Sequence, residues 1–450
     1  MTKKIIYVIF AVVTTTLCFL QCKNEAPKQQ PMATLGDSGT PTRFASICPA
    51  YPIPAGFKDT FSLSQNYPDT FDVNASKPWT KFDFKKDYQN YMAAVLDYCM
   101  EGNIEVDFKV QDNKVRKWYA APWMHDDGNS PATGKQNAGR EYLHGLTREI
   151  TIKAKTLGDL QTTNFQTYAT SFYNAPGGYT IGKVWKNADN PDINQSNFPE
   201  GTVTFKLLFT EADTMQVPYL ANSKQWTANI FVPSDSFNKR VNTPVRLLQL
   251  DIAIKDKTAE SGWIFGTFVY NAASKGLTWK ERMAPVGLMW GDDSKDTTML
   301  NITNRYNPSL KQSVINQSLL KKNDKVPTQT YVTHLGMGGR MNGPVDNPIS
   351  SCISCHAHAA LNAEHVHASM ANFGVKKYSY QDFVDYFSDI PCGVQTITQK
   401  DKNFTTTDFS YQLLNGLRNF YAAQPLPMAE RGLKTKPKPI PMVSRDGHSE

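Results

Sequence analysis

The sequence has little cysteine and little charge for its length, with seven cysteines among 450 residues and a charged share of 20%. It also has no glycine-rich phosphate loop and no arginine-rich run, which are common signatures of nucleotide and nucleic-acid binding. The formal net charge of +7 allows docking to an acidic partner and does not by itself indicate nucleic acid. We therefore expect no nucleic-acid partner.

What is present indicates a large folded protein. Hydrophobic residues make up 40% of the chain and aromatic residues 12%, which favours well-filled cores. The length suffices for two or three domains. The predicted fold class is multidomain α+β, with a mainly-β central domain followed by an α-helical domain.

The first 22 residues carry the features of an export signal. A basic start precedes an apolar run at residues 5–20, the length of the core of a secretory signal peptide. Cys22 lies where bacterial lipoproteins place their lipidated cysteine, although Gln21 stands where a small residue is usual and Cys18 competes. We predict a lipoprotein-type signal peptide at residues 1–22, a lipid anchor on Cys22, and export to the periplasm or outer cell envelope. An uncleaved membrane anchor is the alternative.

The remaining chain divides into four segments of different character. A polar stretch that contains proline and glutamine predicts a flexible tether, and the basic, proline-rich C-terminus predicts an extended tail. Between them lie a mainly-β region with an early helix and a loop-rich region with a closing amphipathic helix. The predicted boundaries are 23–45 for the tether, 46–325 for the β domain, 326–425 for the helical domain and 426–450 for the tail.

Helical and strand patterns are both explicit in the β domain. The segment "FDFKKDYQNYMAAVLDYCMEGN" places apolar residues at helical spacing up to Cys99, and Gly102 supplies a stop. After about Glu149 the period changes to two, and turn signals such as Pro176–Gly178 separate the segments. We predict a sandwich or open barrel. The strand-like segments are "REITIKAKTL", "GTVTFKLLFT", "QWTANIFVPS", "VRLLQLDIAIK" and "SGWIFGTFVYN".

Export also permits disulfides, because they persist outside the cytoplasm. Three cysteines remain once the signal region and the CxxC pair are set aside. Cys48 with Cys99 is the predicted disulfide, which leaves Cys392 over, although the sequence alone does not establish the pairing.

One short stretch, "SSCISCHAHA" at residues 350–359, concentrates the chemistry. Ser350 is the predicted cap of a helix that begins after the preceding proline. On that helix Cys352, Cys355 and His356 stand at positions i, i+3 and i+4 and share one face. Two thiols at this spacing can add to the two vinyl groups of a haem while the imidazole approaches the iron from the same side. The predicted cofactor is one covalent haem c.

The motif has three other interpretations. His358, His365 and His367 lie close enough in sequence to suggest zinc, but a structural zinc site usually takes two separated ligand pairs, and no second cysteine pair follows. A redox-active CxxC of the thioredoxin type calls for a βαβ unit around the motif, and none is visible in the sequence. A structural disulfide within the CxxC is the third.

The run "CISCH", together with a closing amphipathic helix in "DFSYQLLNGLRNFYAA", resembles the c-type cytochrome domain over roughly residues 326–425. The longer run "GRMNGPVDNPISSCISCH" is similar to a group of exported bacterial haem proteins. The resemblance implies a helical haem domain and electron transfer. It also implies that Cys352 and Cys355 are the thioether positions and that His356 is the proximal iron ligand.

The second axial ligand departs from the family pattern. The family commonly supplies a methionine from a loop ahead of the closing helix, but "YFSDIPCGVQTITQKDKNF" contains neither methionine nor histidine. Met428 lies just past the closing helix in a proline-stiffened segment and is the first candidate. An open iron is the alternative. The other candidates are Met337, Met341, Met442 and His334, with His367 and Met370 only if the motif helix breaks.

The predicted function is one-electron transfer in the cell envelope, with a redox protein or a small molecule as electron donor or acceptor. The alternatives are a haem enzyme, of peroxidase or small-molecule oxidase type, and a ligand sensor, both with an open sixth iron position. Two further groups of residues are interpreted as structural. They are His125, Asp126, Asp127 and His144 in an aromatic-rich region, and Asp292 with Asp293 in a turn.

Overall fold

The computed structural model describes residues 64–124, 144–231, 240–291, 307–313, 316, 335–347, 350–368, 379–391, 393–399 and 401–423. All of these residues belong to one compact unit. No helix in these ranges is both long and apolar enough to cross a membrane. The predicted signal peptide, tether and tail lie outside the described residues, and so do Cys18, Cys22, Cys48, His125, Asp126, Asp127, Asp292, Asp293, His334, Met370, Cys392, Met428 and Met442.

Most of the strands in the described chain lie before residue 290, and five of them follow one another with no α-helix between them. The elements in order are α1 (Tyr88–Met100), β1 (Thr147–Ile152), β2 (Phe165–Tyr173), α2 (Ala175–Val184), β3 (Val203–Thr210), β4 (Gln225–Phe231), β5 (Arg240–Lys255), β6 (Trp263–Tyr270), β7 (Met283–Met289), α3 (Cys352–Ala357), β8 (Ala360–Leu361), α4 (Tyr380–Phe387), β9 (Thr396–Gln399), β10 (Lys402–Thr406) and α5 (Tyr411–Ala423).

Seven strands form one antiparallel sheet in the order β1-β2-β3-β5-β6-β7, and β4 pairs with the first half of β5. The mainly-β character predicted for this region is confirmed, and each of the five predicted segments contains a strand. β2 and β7 were not predicted. β2 is buried along almost its whole length, so it lacks the apolar–polar alternation that identifies a half-exposed strand.

One face of the sheet packs against α1 and forms the larger hydrophobic cluster of the molecule. The helical spacing predicted for α1 is confirmed, and it directs Met92, Val95 and Cys99 into this cluster. Cys99 is a fully buried thiol that forms no disulfide, so the predicted pairing with Cys48 is wrong. Burial raises the pKa of the Cys99 thiol, which keeps it protonated.

A helix stands where the sequence predicts a turn at Pro176–Gly178. Asn174 caps α2 by accepting a hydrogen bond from the Gly177 backbone at 3.4 Å, and a proline in the first turn of a helix needs no donor. A Cβ atom on Gly178 would lie 2.4 Å from the Tyr119 ring. The glycine therefore lets the helix approach this aromatic residue, a tertiary requirement that the local Pro-Gly signal does not reveal.

The opposite face of the sheet packs against α3 and α5. Alternate residues of β6 divide between the two faces, since Phe268 joins the first cluster while Phe265 and Val269 join a second one. That second cluster also contains Ile353 of α3 and Leu417 of α5. Residues on both sides of the predicted boundary at 326 therefore share one core.

The chain after residue 335 contains strands as well as helices. The strands form a small antiparallel sheet in the order β8-β10-β9. The methionine-free segment ahead of the closing helix contains the β9–β10 hairpin. The closing amphipathic helix is confirmed as α5, whose inward side carries Leu413, Leu414 and Leu417.

Candidate functional site

The CxxCH motif lies on α3, a helix of six residues. Its cap is Ser351, one residue later than predicted. Ser351 Oγ accepts a hydrogen bond from the Ser354 backbone at 3.1 Å, and Ser354 Oγ accepts one from the Ser351 backbone at 3.0 Å. This reciprocal pair is a capping box, which begins the helix one residue before the first cysteine of the motif. The helix ends before His358, so it is shorter than predicted.

Cys352, Cys355 and His356 line the same cavity, which agrees with their spacing on one helical face. Each side chain is partly exposed, and no disulfide joins the two cysteines. Two thiols and one imidazole are therefore presented together to a single space, where one ligand can meet all three.

His356 is oriented by a backbone carbonyl. Its Nδ1 atom lies 2.8 Å from the carbonyl oxygen of Phe409, and because a carbonyl only accepts, Nδ1 is the protonated nitrogen. The ring centroids of Phe265 and Tyr411 lie 4.7 Å and 5.7 Å from that of His356. With the proton on Nδ1, Nε2 is the nitrogen with which this side chain would bind a metal.

The Phe409 carbonyl is in turn held by a strained turn between β10 and α5. Asp408 and Phe409 both adopt left-handed backbone angles, with φ of 45° and 66°, which non-glycine residues rarely take. Lys255 of β5 donates to both carboxylate oxygens of Asp408, at 2.7 Å and 2.8 Å. The Trp263 indole donates to the same carboxylate at 3.1 Å. A neighbouring strand thus fixes the turn that orients His356.

That ion pair is almost completely buried, with 4% of the Lys255 side chain and 8% of the Asp408 side chain exposed. A buried charge is tolerated only when it is paired and hydrogen-bonded, and here a backbone donor completes the set, since the Phe198 N–H donates to Asp408 at 2.8 Å. A buried pair is expensive to form by itself. Its position directly behind His356 indicates a positioning role.

The cavity lies between α3, the start of α5 and the sheet face opposite α1. It opens to solvent, and about 1110 Å³ of space lies within it when that open part is counted. Aromatic side chains form the wall next to His356, namely those of Trp263, Phe265 and Tyr411. Apolar rings of this kind keep water away from the group that the imidazole would bind.

The sheet also gives the same cavity a polar region. Asp251 of β5 and Lys206 of β3 lie on neighbouring strands, and Lys206 forms an ion pair with Glu149 at 3.4 Å. Asp346, in the loop before the motif, lines the cavity as well. Burial and the nearby Asp346 carboxylate raise the pKa of Asp251 to about 7, against the opposing effect of Lys206.

The described candidates for a second axial ligand do not line this cavity. Met341 is fully buried in the second hydrophobic cluster, and Met337 packs against the aromatic residues of α4. His367 lies beyond the end of the motif helix, where its Nδ1 donates to the Ala368 carbonyl at 2.7 Å. Met124, which was not predicted, is the methionine that lines the cavity within the described part of the chain.

The histidines that suggested zinc have separate partners. His358 donates to the Ser354 carbonyl at 2.7 Å and stacks on Tyr386, whereas His365 stacks on Tyr421. Across the described ranges, no three histidine, cysteine, aspartate or glutamate side chains are grouped to hold a metal ion. The arrangement gives zinc no support.

His144 belongs to the core on the other face of the sheet. Its ring stacks on Trp226 at 3.7 Å, and Nε2 donates to the Asp107 carbonyl at 2.6 Å. Burial lowers its pKa to about 4, so the ring is neutral at neutral pH. The structural interpretation of this residue holds, and it contributes nothing to the cavity at the motif.

The motif can be recognised in the sequence, but the ion pair that holds the turn behind His356 cannot. Lys255 and Asp408 are 153 positions apart, and neither belongs to a recognisable pattern. The sequence does contain one signal, since Asp251 and Lys255 interrupt the half of β5 in which apolar residues alternate, and a charge on a buried sheet face calls for a partner or a ligand.

No protein-family model matches this chain, and no curated protein and no solved structure matches it either. Its function is therefore argued from the cavity and from the motif that lines it.

Proposed function

We propose that this protein is an exported c-type cytochrome with one covalently bound haem, which transfers single electrons in the cell envelope. The observation that carries the proposal is that Cys352, Cys355 and His356 line one cavity while the Phe409 carbonyl accepts a hydrogen bond from His356 Nδ1. A residue with metal-binding chemistry at Nε2, beside two thiols, meets the requirements for covalent haem attachment. In its finer form the proposal includes a haem-binding segment of cytochrome c type at residues 326–425, which shares its core with the sheet.

Each residue has a separate task in this proposal. Cys352 and Cys355 would hold the haem through thioether bonds, and His356 would bind its iron through Nε2. The haem, when bound, supplies the electron-carrying centre. The Phe409 carbonyl accepts the Nδ1 proton, which sets the ring orientation and raises the basicity of Nε2. The aromatic wall, with Phe265 against the imidazole, excludes water and lowers the local dielectric constant.

Localisation belongs to the same proposal. Cys22 would carry the lipid that tethers the chain at a membrane surface, with more than one acyl chain needed for firm attachment. A redox protein or a small molecule would supply and accept the electrons. The net charge of +7 favours an acidic protein partner.

One specific observation favours the second candidate, a haem enzyme or ligand sensor. The cavity has a polar region with Asp251 and Asp346 in addition to its aromatic wall, and a carboxyl group with a raised pKa, as Asp251 has, is typical of active sites. Rapid binding of carbon monoxide by the reduced wild-type protein, together with peroxide turnover, would favour this candidate over electron transfer.

The test is fractionation of cells that express the full-length protein in a host able to attach haem c. We expect haem that resists denaturation and acid-acetone extraction, one per chain, in the membrane fraction. The double variant Cys352→Ala, Cys355→Ala should lose it, whereas Cys99→Ala, which removes a cysteine outside the cavity, should retain it. Cys22→Ala should move the haem protein to the soluble fraction, and Cys18→Ala should not. One zinc per chain with no Soret band would contradict the proposal.

A further inference from the structure

A row of polar side chains crosses the centre of the sheet on the cavity side. Register pairs Ser171 with Lys206, Lys206 with Asp251, and Asp251 with Thr267, so these four residues lie side by side on strands β2, β3, β5 and β6. All four line the cavity at the motif. Central strands of a covered sheet are normally apolar, and a row of polar groups there calls for an explanation beyond packing.

Asp251 is the residue of this row that is placed to exchange a proton. Its Oδ1 atom accepts two hydrogen bonds, from Gln249 Nε2 at 2.8 Å and from Thr267 Oγ1 at 2.9 Å. No hydrogen bond to Oδ2 is present among the described residues, and the side chain lines the cavity. The fixed oxygen holds the carboxyl group in place, while the other oxygen can take up or release a proton.

A second carboxyl group approaches the same amide. Gln249 Nε2 also lies 3.3 Å from Asp346 Oδ2, so a single amide group bridges the two acids. Gly343 permits this approach, because a Cβ atom there would lie 2.1 Å from Asp346 Oδ2 and 2.3 Å from Gln249 Nε2. Two carboxylates that share one donor repel each other when both are ionised, and protonation of one of them removes that repulsion.

Charged groups on two neighbouring segments act on Asp251. Asp346 faces it from the loop before the motif, and Lys206 faces it from β3 but is already paired with Glu149 at 3.4 Å. Thr267 on β6 adds a hydrogen bond and no charge. Burial and Asp346 together raise the pKa of Asp251 to about 7, so its protonation is sensitive to any charge added to the cavity near neutral pH.

We propose that Asp251, in the pair with Asp346, takes up one proton from solvent when a one-electron donor reduces the haem at His356, and releases it on reoxidation. This inference rests on the proposed function. In balance, ferric haem with ionised Asp251 gains one electron and one proton to become ferrous haem with protonated Asp251. The electron reduces the positive charge in the cavity, which makes the carboxylate harder to keep ionised.

The test measures the reduction potential of the purified haem protein between pH 5 and pH 9. Coupling predicts a potential that falls as pH rises around pH 7, by up to about 59 mV per pH unit, the limit for one proton per electron. Asp251→Asn should flatten this slope. Asp346→Asn should shift the pH range of this slope to lower pH, because it removes the repulsion that raises the pKa of Asp251.

Glu211→Gln is the matched control. Burial raises the pKa of Glu211 to about 7 as well, but this residue does not line the cavity, so its variant should keep the wild-type slope. Haem propionates would be present in every variant, so a loss of slope that occurs in Asp251→Asn and not in Glu211→Gln is assigned to Asp251.

The proposal is overturned if Asp251→Asn keeps the wild-type slope, or if Glu211→Gln flattens the slope equally. Each variant must match the wild type in its far-UV circular dichroism and its haem content. If Asp251→Asn does not fold, the proposal is tested by the shift expected for Asp346→Asn, and the absence of that shift overturns it. A protein that carries no covalent haem contradicts the proposed function itself. A haem protein whose reduction potential has the same pH dependence with and without the Asp251 carboxylate contradicts this inference alone.

Discussion

At the scale of single residues, Met124 is the cavity residue that would distinguish the two kinds of haem protein proposed above. It lines the cavity, whereas Met337 and Met341 pack elsewhere and Met428 lies outside the described residues. A methionine opposite the histidine would occupy the sixth coordination position of a haem iron. A six-coordinate iron suits electron transfer because no ligand is exchanged. Met124 is therefore the first residue to test as the sixth ligand.

We predict that Met124→Ala opens the sixth position. The reduced wild-type protein should bind carbon monoxide poorly, and the variant should bind it rapidly, with the Soret shift of a five-coordinate iron before the gas is added. Met341→Leu is the control, because it alters a fully buried methionine away from the cavity. Unchanged spectra in Met124→Ala would exclude this residue and leave Met428 as the next candidate.

Residue chemistry is also where the sequence is most informative about the site. The motif is five consecutive residues, so Cys352, Cys355 and His356 can be identified from spacing alone. Asp251 and Asp408 cannot, because an aspartate acquires its role from neighbours that are distant in sequence. Asp346, for example, meets Gln249 across 97 positions.

At the scale of elements, the turn between β10 and α5 sets the orientation of His356. Sequence periodicity includes Phe409 in the apolar side of the closing helix, but the helix begins at Tyr411 and Phe409 adopts a left-handed conformation. The strain is maintained by Lys255, which pairs with Asp408 from the C-terminal end of β5. Periodicity identifies the helix and does not reveal such a turn.

We predict that Asp408→Asn alters both stability and haem properties. Lys255 would keep a buried charge without its carboxylate, and removal of one partner from a buried pair costs about 3–5 kcal/mol of unfolding free energy. The Phe409 carbonyl would also move away from Nδ1 of His356. The imidazole would then be a weaker donor to the iron, which should raise the reduction potential of the haem. Denaturant unfolding and redox titration measure the two effects.

The matched control is Asp97→Asn, which removes the carboxylate of an exposed ion pair with Lys280. Exposed pairs contribute about 0–1 kcal/mol, so this variant should leave both the midpoint of unfolding and the potential nearly unchanged. A purely structural role for Asp408 would lower stability without moving the potential. That result would contradict the positioning role of the turn.

At the scale of the whole molecule, the sheet joins the two predicted domains. Its first face and α1 form one cluster, and its second face forms another with α3 and α5. The sequence predicts the strands and the closing helix because each has its own periodicity. It does not predict that they share a core, since periodicity shows that a face is buried and not which element covers it.

We therefore predict that a fragment of residues 326–425 does not hold haem in a native site. It lacks the sheet wall of the cavity, including Trp263 and Phe265, and it lacks Lys255, without which the Asp408 carboxylate is unpaired. The fragment should show no cooperative thermal transition by circular dichroism and no low-spin haem spectrum. A fragment of residues 46–425, which retains the sheet, should show both. A cooperative transition and a native spectrum in the shorter fragment would mean that the sheet is dispensable, because the helical segment alone would then complete the haem site.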